Sequence, residues 1–401
     1  MLRVIEKATL ATESQNWTLV NQYLGELPLE KKNQRLIKLK EAQLRQVLAI
    51  ALQVLKYGDF QQRWEISRFF RKLGKPAITP LIKILHDEEA DVEFRWFVVR
   101  ILGDFSQPEV VIALVRLLQK TEDEDLAAVA AQALGNIGDS AIEALAQLLT
   151  DTELRLLAAS ALAYMRRPQV VEPLLSIVDD PNPEVRAVAI EALGSFHSEK
   201  ITPVLINALK DTAAIVRKEA VIALGFQAPH LNLTSWDLVS SIEPLLYDFN
   251  PQVCQKAAIA MGRISNEEAI IALGQLLNSP TTSLPLQVEV VRALGWTGKA
   301  LALKFLQEKL VSSPGKVCEE IVRMMGRWEV VEMKLQVSQV LIDFLQNNYL
   351  NQESKIQQLI ATALGKLSNK NAIPWLEKLA DKPDKTLRLH ALAALKQLGR
   401  C

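Results

Sequence analysis

Apolar residues recur at intervals of three and four along short segments of this chain, and the segments themselves recur. In residues 182–194 the inward set is Val185, Ala189, Ala192 and Leu193, placed around Arg186. The same arrangement returns about every 31 residues, and aligned on Arg186 the copies carry Arg63, Arg95, Ala127, Arg155, Arg186, Arg217, Cys254, Gln287, Cys318, Gln357 and Arg388. Four residues before this slot, eight of the eleven copies hold a side chain suited to cap a helix: Asp59, Asp91, Asp123, Asp151, Asn182, Asn250, Ser283 and Asp384. Eight residues after it stand Gly103, Gly135, Gly194, Gly225, Gly262, Gly295, Gly326 and Gly365, read as helix stops. A second apolar helix precedes most copies, at 77–85, 109–119, 141–149, 170–178, 201–209, 269–278, 301–310, 334–346 and 372–380. Pro80, Pro173, Pro203 and Pro374 fall early in these helices, where a missing N–H costs little. Pro244 sits deeper and is expected to kink its helix.

Each repeat is therefore a helical hairpin too short to bury its apolar face alone, so neighbours must stack. The fold class that follows is all-α: an α-solenoid of about eleven hairpins winding as a right-handed superhelix over residues 42–401. Residues 1–41 break the period and are read as an N-terminal helical cap, with helices at 1–11 and at 14–27, the latter capped by Ser14. A longer helix over 30–57 carries a basic front half of Lys31, Lys32, Arg35, Lys38, Lys40 and Arg45. No Gly/Ser/Pro linker interrupts the repeats, which argues for one continuous domain. Spacings of 37 and 39 residues before Cys254 and Gln357 place extra loop at 228–236 and 347–353.

Charge narrows the function. Lys and Arg equal Asp and Glu at 46 each, so no basic field holds a nucleic-acid backbone and no nucleic-acid partner is expected. No apolar run reaches the length of a membrane span, and residues 1–7 lack a signal-peptide core, so a cytoplasmic protein is expected. Cys254, Cys318 and Cys401 form no disulfide framework, and two of them share one slot two repeats apart, beyond bridging distance.

The pattern Asp-x-x-x-Arg-x-x-Ala-x-x-Ala-Leu-Gly, following an Ala-Ile-x-Pro-Leu helix, resembles HEAT repeats of the bilin-lyase-like subgroup, most cleanly over 77–95 and 170–225. The resemblance covers about nine-tenths of the chain. It implies the solenoid, and for function it implies either an adaptor without enzyme activity or an E/F-type lyase or isomerase acting on phycobiliprotein subunits. It names no bilin or acceptor, since fold and function separate.

Searching for chemistry returns little. His86, His197, His230 and His390 are scattered over separate repeats, without the His-Glu pairs by which the HEAT-repeat enzyme deoxyhypusine hydroxylase holds iron, so no metal site is expected. There is no Ser-His-Asp set, no Gly-x-Ser-x-Gly and no phosphate loop, and no catalytic residue is assigned. Cys318 lies beside Glu319 and Glu320, which oppose thiolate formation. Arginine in the repeated slot is expected to form a ladder pairing adjacent repeats, thinned where Cys254, Gln287, Cys318 and Gln357 replace it. The positions one and five after the slot are left facing the groove. They hold Trp64 with Arg68 and Trp96 with Arg100, and Arg292 and Arg323 form a second cluster with Trp296 and Trp328 just past the helix ends. Indoles and guanidiniums are enriched in protein-binding hot spots, and packing in the core is the competing explanation for each tryptophan. The leading expectation is a non-enzymatic scaffold, chaperone or assembly factor that binds a protein along its concave surface and needs no cofactor. The alternative is the bilin lyase or isomerase, with a bilin as bound substrate and a phycobiliprotein subunit as partner.

Overall fold

A computed structural model describes residues 2–27, 40–198, 200–229, 236–313, 315–348 and 353–400. The described residues are helical with no strand, and they fall into two compact units, Met1–Leu193 and Gly194–Cys401. The first opens with α1 (Leu2–Glu13) and α2 (Trp17–Gly25), which pack on the first hairpin, α3 (Glu41–Tyr57) and α4 (Phe60–Leu73). Four more hairpins follow: α5 (Ile78–Leu85) with α6 (Val92–Leu102), α7 (Pro108–Lys120) with α8 (Glu124–Ile137), α9 (Asp139–Leu148) with α10 (Arg155–Met165), and α11 (Val171–Leu175) with α12 (Pro183–Leu193). The second unit holds six: α13 (Ile201–Ala208) with α14 (Ala214–Gln227), α15 (Leu238–Ile242) with α16 (Pro251–Ile264), and α17 (Glu267–Asn278) with α18 (Leu284–Thr297). They continue with α19 (Ala300–Ser312) and α20 (Lys316–Met325), α21 (Lys334–Asn348) and α22 (Ser354–Leu367), and α23 (Ile373–Ala380) and α24 (Lys385–Gln397). Within each unit second helices pack on second helices and first on first, the α-solenoid arrangement.

Local signals account for most helix starts. Asp59, Asp91, Asp123, Asn182, Asn250 and Asp384 accept a backbone N–H from the first turn of their helices. Asp151 and Ser283 do not: Asp151 accepts from Glu153 in a turn ahead of α10, and Ser283 forms no side-chain cap. Near the N-terminus Asn16 caps α2, while Ser14 bonds back to the carbonyls of Leu10 and Ala11. Pro244 does break its helix, which ends at Ile242 and tightens into a 3₁₀ turn over Glu243–Tyr247. The basic stretch Lys31, Lys32, Arg35 and Lys38, the bulk of both extra loops, His230 and Cys401 lie outside the described residues.

The repeated glycine stops the helix in some copies only: Gly103, Gly194 and Gly326 directly follow the last helical residue. Gly225, Gly262, Gly295 and Gly365 instead lie inside their helices, which run on for two residues. Left-handed backbone comes later, eleven residues after the slot, at Gly138, Arg166, Ser265, Gly298 and Ser368. What the glycine supplies is absence. A first side-chain carbon at Gly225 or Gly262 would lie 2.9 Å from the Cβ of Ala260 or Ala293, and one at Gly326 would lie 2.7 Å from that of Ala363. Consecutive second helices thus meet backbone against methyl, each glycine on the alanine six residues past the next slot.

The arginine slot does two jobs. Within its own repeat it donates to the carbonyl six residues back: Arg155 to Leu149 at 2.6 Å, Arg186 to Asp180 at 2.7 Å, Arg217 to Asp211 at 2.8 Å. Across to the next repeat, Arg155 binds Asp180 at 2.6 Å and Arg217 grips both oxygens of Asp248 at 2.7 Å, so the ladder exists. Its acceptor is not the helix cap but an aspartate six residues before the next slot, which also accepts the N–H two residues on. Arg63 reaches Glu93 instead, at 3.0 Å. Arg95 lines a cavity of about 460 Å³ with Thr121, the residue that stands at the aspartate position of the following repeat, and its Nε is buried without a partner. Where the slot changes, the local bond persists: the Cys254 thiol donates to the Asp248 carbonyl at 3.0 Å and Gln287 to Thr282 at 2.7 Å. Gln357 reverses the polarity, accepting from Lys382 at 3.0 Å.

Two outcomes test this account. Replacing Gly262 with valine forces the α16–α18 seam apart and should cost about 1–3 kcal/mol, whereas alanine at Gly25, which meets nothing within 4 Å, should be neutral or mildly stabilising; denaturant midpoints give both values. Arg217→Ala leaves a nearly buried Asp248 carboxylate unpaired and should cost about 3 kcal/mol, with Gln287→Ala costing less. Hydrogen bonding from Arg217 holds the Asp248 carboxyl below its usual value. The pair's contribution is therefore full above an unfolded aspartate pKa of about 3.9 and is lost as pH falls below it, so the wild-type advantage over Arg217→Ala should shrink in acid.

Candidate functional site

The side chains best placed to meet a partner in the first unit sit on α4 and α6. Each helix has its cap aspartate in place, and the shared register sets Trp64 beside Trp96 one repeat on. The Arg100 guanidinium lies 3.9 Å over the Trp64 ring and 5.2 Å from that of Trp96. Phe60 stacks on Trp64 with centroids 6.1 Å apart, and Phe97 meets Phe60 and Trp96 edge-on at 5.4 and 5.2 Å. The contacts close into a ring of four aromatic side chains and one cation. Phe97 is its buried base and Phe60 its exposed rim at 56 %, with Trp64, Trp96 and Arg100 half-buried between them. Burial pulls the Arg100 pKa down while Asp104 raises it. Such a guanidinium has given up part of its water and retains donors at the ring edge.

Arg68 is not part of this ring. It is exposed, one turn along α4, and lines a groove of about 330 Å³ with Asn21, Glu65 and Lys72 where α2 crosses. Phe60 and Phe97 were missed from the sequence. Phe97 looks like any core residue, but Phe60, an aromatic directly after a capping aspartate, occupies the exposed first helical position and was there to be read.

The second cluster separates. Arg292 donates to Glu320 at 2.7 Å and to Glu289 at 2.6 Å, Arg323 lies 3.3 Å from Glu319 and 3.5 Å from Glu320, and Lys355 joins Glu319 at 2.8 Å. Arg292 and Lys355 thereby join three successive second helices, with Arg323 held within α20 between them. Trp328 is 3 % exposed, its Nε1 buried without an acceptor, so it belongs to the core and not to an open groove. Trp296, in the last turn of α18, is 57 % exposed. The difference is one of position: Trp296 stands nine residues past its slot and still on α18, whereas Trp328 stands ten past its slot and beyond the end of α20 at Met325. The nine-after position, not the one-after position, is the open one throughout the second helices.

A family model for HEAT repeats matches residues 78–163, 142–225 and 239–326. The chain belongs to the HEAT-repeat family. Among solved structures it is similar to the karyopherin Kap95p, at 12 % identity and a TM-score of 0.61 over 95 % of this chain and 58 % of that one. It is equally similar to the karyopherin Kap121p, at 13 % identity and 0.61 over 99 % and 50 %. The chain thus spans about half to three-fifths of these karyopherins, and at such identities the likeness fixes the fold alone. The match is to HEAT repeats in general and does not extend to the bilin-lyase subgroup.

The thiols of Cys254 and Cys318 are both disfavoured as thiolates. Cys318 is buried on α20, and its thiol is pushed up to about 11 by burial first and by Glu319 and Glu353 after it. Cys254 is raised as well, by burial and by Asp248. Neither thiol is poised as a nucleophile. His390 is exposed and shares a 3.0 Å hydrogen bond with Thr362, and no group of three metal-ligating side chains is found among the described residues. No helix among them is long and apolar enough to cross a membrane. At pH 8, Cys254 and Cys318 should resist a maleimide in the folded protein and react on denaturation, read as mass added to their peptides; rapid native labelling at Cys318 would reverse the assignment.

Proposed function

We propose that this HEAT-repeat protein is a non-enzymatic scaffold or assembly factor that holds a partner protein on the second-helix face of its first unit. One observation carries the reading: the Arg100 guanidinium sandwiched against Trp64 and Trp96, with Phe60 exposed beside it. A stack made only for stability has no need of an open aromatic rim, whereas a binding site needs apolar area and directed donors together. In its structure Kap121p is bound to the extreme C-terminus of a protein phosphatase, and a partner segment on second helices is the corresponding use proposed for this chain. Aromatic faces beside a guanidinium also suit a tetrapyrrole with two propionates, the reading raised by the lyase-like repeat residues. Co-expression with a bilin, read as a visible absorption band on the purified chain, would select that alternative.

The test uses the exposed rim of the ring and its cation. Phe60→Ala with Arg100→Ala should weaken capture of the native partner at least tenfold, about 1.4 kcal/mol, with the helical signal and melting temperature nearly intact. Unchanged capture with a lowered melting temperature would identify the ring as packing.

A further inference from the structure

In the second unit the open nine-after positions carry their own pattern, and it is one of charge as much as shape. From α14 to α22 they read Phe226, Arg263, Trp296, Arg327 and Lys366, all exposed. The register that aligns them is fixed by the glycine seam: Gly262 packs on Ala293 and Gly295 on Met324, each glycine lying one residue before its member of the row. Neighbours in the row are within reach, since the Arg263 guanidinium stacks 4.0 Å over the Phe226 ring. The row therefore alternates aromatic and cation, Phe226, Arg263, Trp296 and Arg327, and ends on a lysine.

The cations of this row differ from those one turn earlier on the same helices. Arg292 and Arg323 are bound to Glu289, Glu319 and Glu320. Arg263, Arg327 and Lys366 form no ion pair with any described residue. Half-exposed Phe226 and Trp296, at 59 % and 57 %, add apolar faces between unneutralised charges. That composition complements an anionic chain carrying apolar side chains, and opposes a basic one.

We propose that this row is a docking track for an extended acidic segment of a partner protein. Carboxylates of the segment pair with Arg263 and Arg327, and an apolar residue between them lies on Trp296. The spacing sets the motif. Packed helices lie roughly 8–10 Å apart, so the two arginines, two repeats apart, are separated by about 16–20 Å. An extended peptide advances about 3.3 Å per residue, which puts the two acidic positions about five or six residues apart with the apolar position midway. The row is independent of the ring on α4 and α6, so either surface stands if the other fails.

Random dodecapeptides displayed on phage and selected on the full-length protein test this directly. Selected sequences should be enriched in Asp and Glu at two positions five or six residues apart, with an apolar residue between them. A fluorescein-labelled selected peptide should bind at least tenfold more weakly to the variant carrying Arg263→Glu and Arg327→Glu, and several-fold more weakly to Trp296→Ala. Its binding should weaken as salt rises and should be unchanged by Phe60→Ala with Arg100→Ala. All the replaced row residues are exposed, so the variants should melt with the wild type. Selected peptides without an acidic excess, equal binding to the charge-reversed variant, or preferential binding of a single-stranded oligonucleotide over the acidic peptide would each overturn the proposal.

Discussion

Close approach between consecutive second helices, glycine backbone against alanine methyl, is the constraint on which the other features of this chain rest. Gly225, Gly262 and Gly326 admit no further carbon toward Ala260, Ala293 and Ala363, so the helices sit near the lower end of the distances open to packed helices. That distance lets Arg217 hold a carboxylate 31 residues away at 2.7 Å with both oxygens engaged, and the fixed register lines up equivalent positions of successive helices in rows. Where the alanine becomes Met324, the seam of Gly295 meets a flexible side chain. Larger side chains along the seam would lengthen the step and break the rows before they broke the helices.

The slot arginine shows how a repeat can lose a residue and keep its fold. Its local bond, to the carbonyl six residues back, closes the turn between the two helices of one hairpin; its remote bond ties two hairpins together. Cys254 keeps the first, Gln287 replaces it with a bond to the carbonyl five residues back, and Gln357 keeps a remote tie with the polarity reversed, accepting from Lys382. In the second unit the remote tie reappears elsewhere, as the chain from Glu289 through Arg292, Glu320, Arg323 and Glu319 to Lys355 across the faces of α18, α20 and α22. Partly exposed bridges are individually weak, and a linked set fares better because a side chain already held costs less entropy to hold again.

Much of this was legible in the sequence, and the failures have physical causes. Apolar spacing placed every second helix because a 3.6-residue period survives substitution of individual residues. The glycine was read correctly as a stop at Gly103, Gly194 and Gly326 and misjudged at Gly225, Gly262, Gly295 and Gly365, because one residue type serves both to end a helix and to supply missing bulk, and only the neighbouring helix reveals the second. The open face was read in part: inward positions were assigned correctly and the five-after position is exposed or half-buried in every copy, but the nine-after position, exposed throughout, was not read, because which remaining positions stay open depends on how the next hairpin leans. Trp64, Trp96 and Arg100 were found together because they share two adjacent helices. Trp296 and Trp328 were not separable, since a single residue of offset divides rim from core.

Arginine content alone points to Arg292 and Arg323 as contacts for a partner, and electrostatics argues against them. A guanidinium already bound to two carboxylates has recovered its desolvation cost within the fold, and a further carboxylate from outside must displace or crowd an existing one. Arg263 and Arg327 have no such partner, so an incoming carboxylate meets a favourable field without undoing anything. Arg100 is a third case, stacked between indoles that lower its hydration and leave its outward donors available. On stacked repeats, recognition is therefore expected at cations that the fold has positioned but not neutralised.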